Sequence, residues 1–259
     1  MVKNIKLKNL LVVIPHSGIK IPRELKEKLS SHINELISSE TDWYTDLIYD
    51  FRNILGNKQI VFSYNQVVIN ACRHPRILDD CVPVSINQIS IYKKDIVLDL
   101  RKELVNKYLL PFYSKIKKIK KSFILDGHSF IKGVKDNKGK LLEDDIILTN
   151  LVKSEFDPVE GLKTCPDKYL EFYYQELKKR LPDLKIGVNS AYQTVYDHIL
   201  SENSWDGLGE KNGRVPIIHQ ETNESLYIKH GKPIKKEVNQ LRKSFAEALY
   251  KTMKEFDLL

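Results

Sequence analysis

Residues 122–130 read "SFILDGHSF". Phe123, Ile124 and Leu125 form an unbroken apolar run, and Asp126, Gly127 and His128 follow at once. A short run without polar alternation suits a strand covered on both faces, and an Asp-Gly pair suits a tight turn at its end. A histidine then stands where a buried strand stops. Working outward, "NLLVVIPHSG" (9–18) has the same character and ends on His16, "DLKIGVNSAY" (183–192) ends near Asn189, and "RVPIIHQETN" (214–223) ends near Glu221.

Between these strands the apolar period changes to that of a helix. The pattern from Pro22 to about Ser38 predicts one helix, and "ETDWYTDLIYDFRNIL" (40–55) predicts a second, with Trp43, Leu47 and Phe51 four residues apart. A long amphipathic helix is expected over 95–120, kinked or divided by Pro111, and others over 165–181 and about 234–256. "KQIVFSYNQVVINACR" (58–73) carries one or two strands, whereas residues 73–90 resemble a loop. Residues 132–165, with Gly133, Asn137, Gly139, Pro158 and Gly161 among short apolar runs, suit an irregular flap or rim. Alternating strands and helices predict a three-layer α/β domain over 1–259, with a mostly parallel mixed sheet and helices on both faces. In such sheets ligands collect beyond the carboxyl ends of the strands, so one edge is expected to hold His16, His128, Asn189 and Glu221.

Charge and cysteine usage bound the alternatives. The formal net charge of +8 is spread over many segments, and its densest run, "KIKKIKK" (115–121), has the spacing of a solvated helix face, so nucleic acid is not the expected partner. Cys72, Cys81 and Cys165 lack the paired spacing of a zinc ribbon or redox motif, which argues against a disulfide framework or thiolate cluster and for a reducing cytoplasm. The first apolar run is too short for a signal peptide, and no segment approaches the roughly 20 apolar residues that cross a bilayer. No Walker loop, dinucleotide fingerprint or Gly-x-Ser-x-Gly elbow is present.

Two histidines from different strand ends, joined by a carboxylate, are a standard way to hold zinc with one position open. His16 and His128 are the candidate ligands, and Glu40, Asp42 and Asp46 supply nearby carboxylates that can equally cap a helix. Asp126 can orient an imidazole through a hydrogen bond or simply cap the turn that follows it. Strand alternation puts His219 and Glu221 on one side with Gln220 opposite, and a glutamate at that edge can act as acid and base in turn. Arg73 and Arg76 can grip a carboxylate or polarise a carbonyl. Asn189 and Tyr192 are weaker candidate substrate contacts.

Taken in order, "VVIPHSG" (12–18), "TDWYTDLIYDF" (41–51), "FILDGHSF" (123–130), "VNSAY" (188–192) and "HQETNESLY" (219–227) resemble the blocks of the N-formylglutamate amidohydrolase family. That resemblance implies a phosphorylase/hydrolase-like fold similar to zinc carboxypeptidases and aspartoacylases. It also implies a metal-dependent hydrolase that cleaves N-formylglutamate to glutamate and formate. By position it implies His16, His128 and Asp42 as ligands of one zinc or another divalent transition metal, with Glu40 as substitute for Asp42, and Glu221 as the acid/base. Arg76 falls on the family's arginine, but "RILDDCVP" (76–83) has Cys-Val-Pro where a second arginine is expected, which leaves the substrate open. His219 stands where family members tend to have Leu, so it is a further candidate site residue. The alternatives are a zinc amidase or carboxypeptidase on small peptides and a non-catalytic basic binding protein. The expected partner is a small N-acyl amino acid.

Overall fold

The computed structural model describes residues 6–94, 96–133, 141–153, 162–190, 195–196 and 215–259. A six-stranded sheet forms from β1 (Leu10–Ile14), β2 (Lys58–Val61), β3 (Phe123–Phe130), β4 (Ile146–Thr149), β5 (Ile186–Val188) and β6 (Ile217–Asn223), in the order β2-β1-β3-β6-β4-β5. β2, β1, β3 and β6 are mutually parallel. β4 pairs antiparallel with β6, and β5 runs parallel to β4, so the last two strands point the other way. Every residue of β1, β3 and β6 is buried, as the unalternating apolar runs imply.

Strand alternation sends the two sets of side chains into separate cores. Leu11, Val13, Ile124 and Ile217 pack with Leu104, Leu109, Phe112 and Ile116 of the helix α4 (98–118). Leu10, Val12, Leu125 and Ile218 pack on the other face with Tyr173 and Leu177 of α5 (Asp167–Arg180) and Phe245 and Leu249 of α6 (Lys235–Glu255). These are the three expected layers. Pro111 does not break α4: a π-helical stretch, Val105–Leu109, precedes it, and the backbone stays right-handed across both joins. The wider turn relieves the clash that proline makes with the carbonyl four residues back.

Four local expectations change. The strand β3 does not turn at Asp126-Gly127 but runs straight through to Phe130. Gly127 is there because the Tyr49 ring crosses its backbone, and a Cβ would come within 2.7 Å of that ring. The helix expected from Pro22 reduces to a short 3-10 turn, Arg23–Leu25, and a later helix α1 (Ile33–Glu40). Between them Ser30 is taken up by Ile91 and Ser90, through N–H and hydroxyl bonds of 2.8 and 2.6 Å, which ends helical pairing. The second expected helix splits into α2 (Thr45–Ile48) and α3 (Arg52–Leu55), after Tyr44 takes a left-handed φ of 61°. Finally, the region expected as a flap contributes β4 to the central sheet.

Candidate functional site

The register of β3 and β6 builds the site. His219 lies opposite Asp126, and Glu221 lies opposite His128. Because side chains two apart share a face, these four groups form a two-by-two block of ionisable side chains on one side of a buried sheet. All four are buried. Asp126 Oδ2 stands 3.1 Å from His128 Nε2 and 2.8 Å from His219 Nδ1, and His219 Nε2 stands 3.2 Å from Glu221 Oε1. The His128 and His219 rings lie 4.5 Å apart, centre to centre.

His16 enters from the end of β1, beyond Pro15. Gly18 lets the following turn lie on the backbone of Phe62 and Ser63, where a Cβ would meet the Phe62 carbonyl oxygen at 2.4 Å. The His16 ring sits edge-on to His128, 4.8 Å between centres, and its Nε2 is 3.1 Å from Asn70 Oδ1. Asp42 follows α1 and points its Oδ2 at both rings, 3.3 Å from His128 Nδ1 and 3.8 Å from His16 Nδ1. The same oxygen accepts from the Ser129 N–H at 3.2 Å.

Charge in this cluster is divided sharply. Burial pushes His16 down to about 4, despite the attraction of Asp42, so its ring is the neutral form that binds metals. Burial also works against protonation of His128, but the charge of Asp126 and hydrogen bonds to Asp126 and Asp42 raise it well above the usual range. His219 is pushed up to about 9: burial and the neighbouring His128 oppose this, and Asp126 and Glu221 overcome them. Burial disfavours the Asp126 carboxylate too, yet His128 and His219 hold it well below the usual carboxylate range. Asp126 and Asp42 thus both favour positive charge beside the His128 ring, whether a proton or a bound cation brings it.

The residues suit a metal. Ligands about 2.1 Å from a tetrahedral zinc stand about 3.4 Å apart, and the two Asp42 distances bracket that value. Cys72 is a second donor beside the site, with Sγ 3.9 Å from His128 Nε2, and it forms with His16 and His128 a trio of donor atoms within 4.8 Å of one another. Asp126, His128 and His219 form another. Asp42 Oδ2 offers a further donor, facing His128 Nδ1 and His16 Nδ1 while Cys72 approaches the His128 nitrogen that already faces Asp126. Among the described residues the buried oxygens Asp126 Oδ1 and Glu221 Oε2 have no hydrogen-bond partner, which leaves each open to a water or another ligand.

The family profile of N-formylglutamate amidohydrolase matches residues 8–228. The chain belongs to that family. It is accordingly a hydrolase of the amidohydrolase type, and the match spans most of the sequence. The crystal structure of N-formylglutamate amidohydrolase from Ralstonia eutropha JMP134 superposes with a TM-score of 0.72 at 14% identity, covering 96% of this chain and 95% of that one. A gene product of Agrobacterium tumefaciens gives a TM-score of 0.63 at 14% identity, covering 96% and 92%. At such identity these two establish the shared fold. No curated protein matches the chain in sequence.

Among residues singled out from sequence, His16, Asp42, His128, His219 and Glu221 come together, and Arg73 and Glu40 line a cavity that also includes Asn70. Arg76 lines a separate groove with His74, Tyr113 and Lys117. Asn189 is directed elsewhere: β5 runs against β3 and β6, so its carboxyl end lies at the opposite edge of the sheet. There Asn189 Oδ1 accepts from Thr149 Oγ1 at 2.6 Å and from the Asn150 N–H at 3.2 Å, a structural tie. Tyr192 lies outside the described residues.

Sequence reasoning missed Asn70, Cys72 and Glu224. Glu224 accepts from Ser129 Oγ at 3.0 Å and from the Trp43 N–H at 3.1 Å, bridging the loop of Asp42 to the end of β3. Burial pushes it up to about 7, with Asp42 and Glu221 adding to the effect against those two hydrogen bonds. Its signal was its place in "HQETNESLY", three residues past Glu221. Cys72 and Asn70 gave no spacing signal, because they reach the site from a loop.

Proposed function

We propose that the protein is a metal-dependent amidohydrolase that hydrolyses the amide of a small N-acyl amino acid, N-formylglutamate being the substrate in the family's name. The convergence of His16 Nδ1, His128 Nδ1 and Asp42 Oδ2 beside an unpartnered Glu221 oxygen carries this reading. Zinc, or another divalent transition metal, held by those three groups supplies Lewis-acid polarisation and a lowered pKa for water.

The chain's own groups account for the remaining steps. Glu221 takes a proton from the attacking water and returns it to the amide nitrogen as the C–N bond breaks, releasing the acyl group as a carboxylic acid and the amino acid as its amine. His219 positions Glu221 through Oε1 and leaves Oε2 for this work. Asp126 fixes the His128 ring from its Nε2 side, as metal-bound imidazoles require. Arg73 rather than Arg76 binds the substrate carboxylate, since it shares a cavity with Asn70, the partner of His16. None of the cysteines is in a disulfide, which supports a reducing, cytoplasmic setting. No helix among the described residues is long and apolar enough to cross a membrane.

The test is a pair of variants assayed for turnover of N-formyl amino acids and for bound metal. Glu221→Gln is expected to keep its metal and lose about 10²–10⁴ in kcat. Wild-type turnover in that variant would remove Glu221 from the mechanism.

A further inference from the structure

Asn70 meets His16 on the ring nitrogen that faces away from Asp42. Its Oδ1 lies 2.9 Å from the backbone nitrogen of Cys72 and 3.1 Å from His16 Nε2. The first contact decides the second. A backbone N–H can only donate, so the amide atom that meets Cys72 is the carbonyl oxygen; turning the amide over would set its NH2 against that N–H, donor against donor. A carbonyl oxygen can only accept, so the His16 nitrogen facing it is the one that carries a proton.

The segment that bears this amide is tied down on both sides. The Asn70 N–H donates to the Cys81 carbonyl oxygen at 2.9 Å, and the Tyr113 hydroxyl lies 2.9 Å from the Ala71 and 2.8 Å from the Arg73 carbonyl oxygen, flanking Cys72. A neutral imidazole protonated on Nε2 offers its lone pair at Nδ1, and that is the nitrogen facing Asp42 Oδ2 at 3.8 Å. His128 is set the same way round by a different group: Asp126 Oδ2 stands 3.1 Å from its Nε2, and its Nδ1 faces Asp42 Oδ2 at 3.3 Å. One histidine is backed by a carboxylate and the other by a neutral amide.

We propose that Asn70 is a positioning residue for the metal centre: its side-chain oxygen, aimed by the Cys72 N–H, holds His16 as the Nε2-protonated tautomer and so commits Nδ1 to the cation. The inference rests on the metal-dependent reading above. An unsupported ring divides itself between two tautomers and several orientations, and selecting one in advance strengthens binding.

Two measurements test it. In metal-free, nitrogen-15-labelled protein in mildly alkaline buffer, long-range proton–nitrogen correlation spectra report which ring nitrogen carries the proton, and His16→Gln identifies the signals. Wild type is expected to show His16 in the Nε2-protonated form. A ring protonated on Nδ1, or evenly mixed, overturns the inference and leaves the hydrolase reading standing. Zinc competition against a chromogenic chelator then compares wild type, Asn70→Asp and Asn70→Leu. Asn70→Leu is expected to bind zinc about 10–100-fold more weakly. Asn70→Asp keeps an oxygen that accepts from both Cys72 and His16, and is expected to bind at least as tightly as wild type. A folded Asn70→Leu that binds like wild type, or an Asn70→Asp that binds more weakly, overturns the inference; should Asn70→Leu fail to fold, the wild-type spectrum and Asn70→Asp still decide. Wild type that takes up no zinc overturns the metal-dependent reading, and the inference with it.

Discussion

The two faces of the β3–β6 pair carry polar groups only a strand's thickness apart, yet the groups are treated in opposite ways. On one face the Tyr49 hydroxyl lies 2.8 Å from Thr222 Oγ1 and 3.1 Å from the carbonyl oxygens of His128 and Gln220, while Tyr173 donates to Gln220 Oε1 at 2.7 Å. These side chains are neutral, packed under Phe245 of α6, with the Tyr49 and Phe245 rings stacked at 5.6 Å. On the other face Asp126, His128, His219 and Glu221 are ionisable and buried, and two of their oxygens lack partners among the described residues. A satisfied neutral network specifies a core. Buried charge with unfilled valences persists only where a ligand or a reaction completes it.

Substitutions that act on one face alone separate the two roles. The largest effect should come from Asp126→Asn, which removes the carboxylate between His128 and His219. Metal affinity and kcat/KM are expected to fall about 10–100-fold. Competition with a chromogenic chelator measures the first, and a change in stability without a change in affinity would make Asp126 merely structural. Gly127→Ala acts on the neutral face by forcing a methyl group into the Tyr49 ring. Overpacking of this kind costs about 1–3 kcal/mol, read as a lower denaturant midpoint. Unchanged stability would mean that the ring is free to move.

The smallest effect is a pH dependence at the rim. Glu224 is pushed up from the glutamate value of 4.5 to about 7, chiefly by burial, so the folded state holds its proton more tightly than the unfolded chain. Its contribution to stability is complete below 4.5 and is lost as pH rises through about 7. In metal-free protein the melting temperature should therefore fall across that interval, and Glu224→Gln should flatten the fall. An identical profile for the two proteins would assign the slope to other groups.

Much of the framework was legible because its signals are local. β1, β3 and β6 are apolar runs long enough to bury, and α5 and α6 keep a helical period over 14 and 21 residues. Pairing direction is not local, which is why Asn189 was assigned to the wrong edge: only the antiparallel step from β6 to β4 reverses β5. The Asp-Gly of β3 was misread for a related reason, since the cause of that glycine is a tyrosine 78 positions earlier in the chain, Tyr49. The apolar runs that carry His16, His128 and Glu221 are legible, but their ends are so only roughly: His16 lies two residues past β1, whereas His128 and Glu221 lie two residues inside the ends of β3 and β6. Asn70 and Cys72 reach the same place from a loop, and Glu224 from the 3-10 turn that follows β6, segments whose course depends on packing.

Metal content tests the arrangement most directly. Protein purified without a metal-affinity tag and supplemented with zinc should hold about one ion per chain by elemental analysis, and His128→Ala and Asp42→Asn should each lose it. Wild type that takes up no ion, or His128→Ala that retains a full complement, would show that these three groups do not form the centre.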